Sequence, residues 1–222
     1  MSPNDAGLAL SPPKIDGRRQ RSERTRLALI EAFIKLLRRT PAMPKASQIA
    51  EEAGCSIRSI FECFTDLDGL VLAATDYAIV QAQGEAVAHN VGAYRTIRIH
   101  SQVEAVTFVC EKWLPLWRLI VRQEQPQLRE RAAMVSSAII ERLKLIYEPE
   151  LSALAGSERD RLLTALVALI SFERWDQLRH TDGLSITAAQ AVWRSAIDRL
   201  LPRDDVLLEG ATGSSFAQRE DR

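Results

Sequence analysis

Cysteine is scarce. Cys55, Cys63 and Cys110 are the three in 222 residues, and an odd number at spacings that match no zinc or redox motif argues against a disulfide framework. Histidine is equally rare: His89, His100 and His180 show no metal-ligand spacing, so no metal site and no cofactor is expected. Long apolar runs are missing too. The longest, Leu162 to Phe172, is flanked by Arg161 and Glu173 and falls well short of the ~20 residues that span a bilayer. The N-terminus carries Asn4 and Asp5 and no basic segment leading into an apolar core, so a cytoplasmic protein with no membrane partner is expected. A glycine-rich phosphate loop, a Gly-x-Ser-x-Gly elbow and a His-Glu-x-x-His pair are all absent, and an enzyme is not expected. No stretch alternates apolar and polar residues long enough to make a sheet, which leaves an all-α fold.

What is present suits a globular chain of one or two domains: 46% of residues are hydrophobic and 26% charged. Net charge is zero, yet it is unevenly placed. Residues 14 to 45 hold ten bases against three acids, 10 − 3 = +7, and residues 46 to 110 hold three against eight, 3 − 8 = −5. Most of the positive charge lies in RRQRSERTR, residues 18 to 26. Such a run is either a solvated helix face or an arm that follows phosphates.

Breakers and periodicity divide the chain. Residues 1 to 17, with three prolines and two glycines, read as a flexible leader, and residues 1–21 together as a flexible basic arm. Order is expected from Ser22. Leu29, Ile30, Phe33, Ile34 and Leu37 recur at helical spacing until RRTPAMP stops them. A short helix follows over 47–53, with Gly54 able to take a positive φ at its end and Ser56 placed to cap a third. Thr65 with Asp68 marks a fourth helix running to about His89. Later helices are expected over 101–113, from Pro115, from Pro126 to Tyr147, over 157–180 and up to Pro202, about nine in all. Residues 203–222 read as a flexible tail.

The helix expected over 157–180 is apolar on more than one face, through Leu162, Leu163, Leu166, Val167, Leu169, Ile170, Phe172 and Trp175. It is either the central helix of a monomer or one that also meets a second copy in a twofold bundle. Near the N-terminus, Ala50, Gly54 and Ile60 stand where a helix-turn-helix needs a small residue at a close crossing, a turn residue and an apolar plug.

The span from Thr25 to Leu70, with TRLALIEAFIKLL and then SQIAEEAGCSIRSIFECFTDLDGL, resembles the DNA-binding domain of TetR-family transcriptional regulators. SFERWDQLRHTDGLSITAAQAVWRSAIDRLL, residues 171 to 201, is similar to that family's final helix pair. The resemblance implies a three-helix DNA-binding domain over 22–66 and a helical regulatory and dimerisation domain over 67–202. It further implies a homodimer, a repressor of transcription, bound to an inverted-repeat operator in double-stranded DNA. On that pattern Ile57, Arg58, Ser59 and Glu62 point outward from a recognition helix, with Arg58 placed to fork onto guanine and Ser47 and Ser59 onto phosphate. Phe61 and Cys63 complete the expected reading face, and Arg18, Arg19 and Arg21 form the arm beside it. The chain departs from the family pattern at Phe61, Cys63 and Leu67, where tyrosine, histidine and lysine are common, which implies a weaker grip on phosphate.

The resemblance also implies a small-molecule effector. Phe108, Trp113, Trp117, Met134, Tyr147, Phe172 and Trp175 are the expected lining, which fits an apolar or aromatic compound. Leu166, Ile170, Trp193, Ile197 and Leu200 are the expected dimer face. The alternative is a helical dimeric interaction protein with a degenerate DNA-binding head.

Overall fold

The structure, a computed structural model, describes residues 17–40, 42–86, 90–123 and 125–202. Most of the expected leader, the expected tail and His89 lie outside the described residues. Among the described residues every regular element is helical.

The chain divides into two compact units, with the division inside α4 (Leu67–Glu85). The first holds α1 (Gly17–Arg39), α2 (Ala46–Ala53) and α3 (Ile57–Cys63). The stripe on α1 is buried as its spacing requires: Leu29, Ile30, Phe33, Ile34 and Leu37 all face inward against α2 and α3. The helix starts at Gly17, so Arg18, Arg19 and Arg21, expected in a flexible arm, are helical and exposed. That five-residue extension buries nothing of its own. It is carried as a continuation of the helix nucleated by the packed residues after it.

The second unit contains most of α4 and then α5 (Arg95–Ile120), α6 (Pro126–Ile146), α7 (Glu148–Ser152), α8 (Gly156–Leu169), α9 (Phe172–Asp176), a π-helical turn over Gln177–Thr181, and α10 (Ile186–Leu200). Two expected boundaries move. Pro115 does not open a new helix but sits inside α5. It removes one ladder donor there, while Trp113, Leu114 and Leu116 around it are all buried and hold the helix through tertiary packing.

The helix expected over 157–180 is broken at Ser171, which is extended (φ −89°, ψ 160°) and whose hydroxyl accepts from the Arg174 N–H at 3.3 Å. In a continuous helix Leu166 and Trp175 would point about 180° apart. The break turns both into one core, where Leu163, Leu166, Ile170 and Trp175 are buried with Trp193 and Ile197 of α10. The rings of Trp175 and Trp193 lie 5.0 Å apart at 56°. Of the expected dimer face, Leu166, Ile170, Trp193 and Ile197 are therefore interior to a single chain, and Leu200 alone is exposed. Arg95 fastens the end of α10: it pairs with Asp198 at 3.0 Å and donates to the Leu201 carbonyl at 3.1 Å.

Candidate nucleic-acid interface

The turn between α2 and α3 is built from three residues, each with a distinct task. Gly54 is left-handed (φ 66°, ψ 33°), and the Gly54 and Cys55 N–H groups close on the Glu51 and Ala50 carbonyls at 3.1 and 2.9 Å. That pair of bonds ends α2 in a Schellman motif. Ser56 then starts α3, its hydroxyl accepting from the Ser59 N–H at 3.2 Å. At the front of α2, the Gln48 side chain accepts from the Lys45 backbone N–H at 2.9 Å. Ile49, Ala50 and Ile60 are buried and press α3 onto its neighbours, as the helix-turn-helix spacing predicts.

Sequence reasoning missed Arg26. Counted there with the basic arm, it turns inward instead, donating to the Cys63 carbonyl at 3.0 Å with its guanidinium 4.5 Å from the centre of the Phe64 ring. It thereby closes the C-terminal end of α3, where a cation is favoured. The signal, an arginine and an aromatic 38 positions apart, is not local. Glu52 is tied in a second such clasp by Lys35 and Arg39 of α1, the latter at 2.8 Å. The Lys35 hydrogen bond, helped by Arg39, holds its carboxyl below the usual carboxylate range.

With those contacts pinning its inner side, α3 presents its other side to solvent. Ile57 is 47% and Phe61 52% exposed, and Arg58 and Glu62 are exposed. Arg58 Nε donates to Glu62 Oε1 at 2.7 Å across one turn. Ser47 is exposed near the start of α2, while Ser59 is half-buried with its hydroxyl 2.9 Å from that of Ser56. Cys63 is also half-buried, and burial, opposed by Arg26, pushes its thiol up. A raised thiol is a poor nucleophile and a weak donor. The exposed residues of α3 that can meet a groove are thus Ile57, Arg58, Phe61 and Glu62; Ser47, near the start of α2, and Arg18, Arg19 and Arg21, at the start of α1, are exposed as well.

Of the expected ligand-lining residues, Tyr147 and Trp175 share one buried core, with Phe172 packed against it. Phe108 and Met134 are 57% and 66% exposed. Trp113 meets Tyr77 edge-on at 6.4 Å, Trp117 stacks on Phe172 at 5.0 Å, and Trp175 donates through its indole to Glu111 at 2.8 Å. These are separate aromatic contacts between helices, which is how bulky side chains fill a helical core. Tyr147 is fully buried in the same core, and its hydroxyl has no hydrogen-bond partner there.

The architecture is that of TetR-family transcriptional regulators. A protein from Rhodococcus sp. described as a TetR-family transcriptional regulator superimposes with a TM-score of 0.60 at 18% identity, covering 81% of this chain and 100% of that one. A TetR-family transcription regulator from Marinobacter aquaeolei VT8 aligns with a TM-score of 0.42 at 18% identity over 78% of this chain and 97% of the other. No protein-family model matches the sequence, and no curated protein does.

Proposed function

We propose that the chain is a DNA-binding transcriptional regulator, a homodimeric repressor that a small molecule releases from an inverted-repeat operator. The observation that carries this reading is the outer face of α3. It exposes an arginine, a carboxylate and two large apolar side chains on a helix whose inner side is fixed by Ile60, Arg26 and Ser56. Large apolar residues left outward on a short, well-anchored helix serve recognition better than stability. In a major groove, Arg58 is suited to guanine O6 and N7, and Ile57 and Phe61 to a thymine methyl.

Phosphate contacts come from Ser47 and from Arg18, Arg19 and Arg21. The arginines lie on a helical extension, so their charges are held on a helix rather than on a loose arm. The second unit supplies the twofold partner surface. With Leu166, Ile170, Trp193 and Ile197 taken up inside the chain, the large apolar residues left outward on α10 are Ile186, Val192 and Leu200, and Leu162, Val167 and Leu169 of α8 are half-buried beside the core. Effector binding shifts the population toward a dimer in which the two heads no longer match groove spacing.

Selection from random duplex DNA with the full chain tests the reading. It predicts an inverted repeat with half-sites about one helical turn apart. Sequence-independent retention that vanishes with salt, from a protein that is nonetheless a stable dimer, would favour an interaction protein with a degenerate head.

A further inference from the structure

We propose that the second unit holds a site for the carboxylate of a small, otherwise apolar organic acid, with Arg142 as its charge partner and Gln102, Tyr147 and Arg98 as further donors. The proposal rests on the effector-responsive reading above and narrows it, giving the apolar or aromatic compound a carboxylate.

The starting point is a cation without a countercharge. Arg142, on α6, donates to the Ala86 carbonyl at 2.6 Å and to Gln102 Oε1 at 3.0 Å. Both partners are neutral. Among the described residues no carboxylate pairs with it, whereas Arg95, Arg98, Arg118, Arg131 and Arg179 meet Asp198, Glu150, Asp176, Asp76 and Glu111. Its Nε is buried and has no acceptor. Burial disfavours the charged guanidinium and pulls its pKa down. Arginine nonetheless stays protonated in proteins, so the charge is retained at a cost.

Around it stand further buried groups with unused hydrogen-bonding capacity. Gln102 is 3% exposed and its Nε2 has no acceptor; Tyr147 is fully buried and its hydroxyl has no partner. Arg98 and Glu150 form a buried ion pair, yet Arg98 Nε and Glu150 Oε2 remain unpartnered. Tyr147 lies close enough to feel the charges of Glu150, Arg98 and Arg142. Buried polar groups are almost always satisfied in native proteins, so several together point to a group that belongs among them.

The chemistry of that group follows from these atoms. Four of the five can donate and one, Glu150 Oε2, can only accept. The Arg98 and Glu150 charges cancel, leaving one net positive charge on Arg142. A single negative charge with two acceptor oxygens is the complement, and a carboxylate provides it. A phosphate dianion overshoots that single charge. Ile99, Val103, Leu143 and Ile146, on the same two helices, are buried apolar core, so the rest of the ligand should be apolar. Ordered water can satisfy the donors but brings no countercharge. The Ala86 carbonyl held by Arg142 directly follows α4, whose first residues belong to the head.

The experiment is thermal unfolding and calorimetric titration of the full chain, without DNA, using octanoate, benzoate and phenylacetate, with octanol and benzyl alcohol as uncharged counterparts. At a hundred-fold excess over Kd an acid that fits should raise Tm by about 5–10 °C, and the alcohols should not. Arg142→Gln should lose the response, Arg142→Lys should keep a weakened one, and Tyr147→Phe should bind several-fold more weakly. Lys144→Gln, an exposed neighbour on the same helix, should respond like the wild type. Equal shifts from acids and alcohols would overturn the proposal, as would an undiminished response in Arg142→Gln. Silence from all three acids would overturn it too. Should Arg142→Gln not fold, Gln102→Ala and Tyr147→Phe carry the comparison. Because no DNA is present, failure of the DNA-binding reading leaves this result intact, and failure here leaves operator binding untouched.

Discussion

Arg58 and Glu62 form a hydrogen-bonded ion pair at 2.7 Å on the outer face of α3, and both side chains are largely exposed. A pair so open to solvent is weak and screened by salt, so the guanidinium is free to leave it for a base edge. Glu62, by contrast, brings negative charge toward phosphate. Glu62→Ala should therefore tighten binding to duplex of any sequence by about two- to ten-fold at low salt. Fluorescence anisotropy with a random-sequence duplex reads this directly. Weakened binding would mean that Glu62 accepts a hydrogen bond from a base.

The helical start of α1 gives a salt prediction. Replacing Arg18, Arg19 and Arg21 together by glutamine should lower affinity for all duplexes and flatten the dependence of log K on log salt, by about one unit for every phosphate no longer neutralised. Affinity measured from 50 to 300 mM salt, roughly the range over which such charges are screened, checks it. An unchanged slope would place these arginines away from the backbone.

Burial separates two neighbours on α10. Trp193 is fully buried, so Trp193→Ala should cost about 3–5 kcal/mol of folding stability. Val192 and Leu200 are exposed. Val192→Glu and Leu200→Glu should leave the fold intact and shift the protein from dimer toward monomer, read by light scattering at micromolar concentration alongside Tm.

Asp176 offers a pH test. Hydrogen bonding to Arg118, more than any other interaction, holds its carboxyl below the ordinary value of 3.8. A depressed folded-state pKa contributes stability above the unfolded value and loses it as pH falls through the folded one. Asp176→Asn should thus lower Tm by about 2–4 °C near neutrality, the effect of a partly exposed pair. The difference should shrink as pH falls below about 4 and vanish in stronger acid. A difference that persists at low pH would assign the loss to packing instead.

Local chemistry made the head legible in the sequence. Gly54, Ser56 and the stripe from Leu29 to Leu37 each act within a turn or two of themselves, so spacing alone places them. Arg26 escaped because its partners, the Cys63 carbonyl and the Phe64 ring, are close only after folding. Ser171 misled for a related reason. Inside a strongly apolar segment its capping role competes with helix continuation, and the choice depends on whether Leu166 and Trp175 must face one core. That break accounts for Leu166 and Trp175 lying on opposite sides of the apolar pattern over 157–180. Aromatic content likewise drew attention to Trp113 and Trp175, which are buried, and to Trp117, which is half-buried and stacks on Phe172. That Arg142 meets only neutral acceptors, and no carboxylate among the described residues, is a property that only three dimensions show.

The most direct test of the DNA-reading account is the specificity of Arg58→Ala, measured by competition between the selected operator and its single-base variants at two salt concentrations. Wild type should discriminate by about ten-fold or more at one guanine in each half-site, and Arg58→Ala should lose this preference while keeping its others and its salt slope. Discrimination at every position unchanged in Arg58→Ala, or a wild type with no preference at any position, would contradict it.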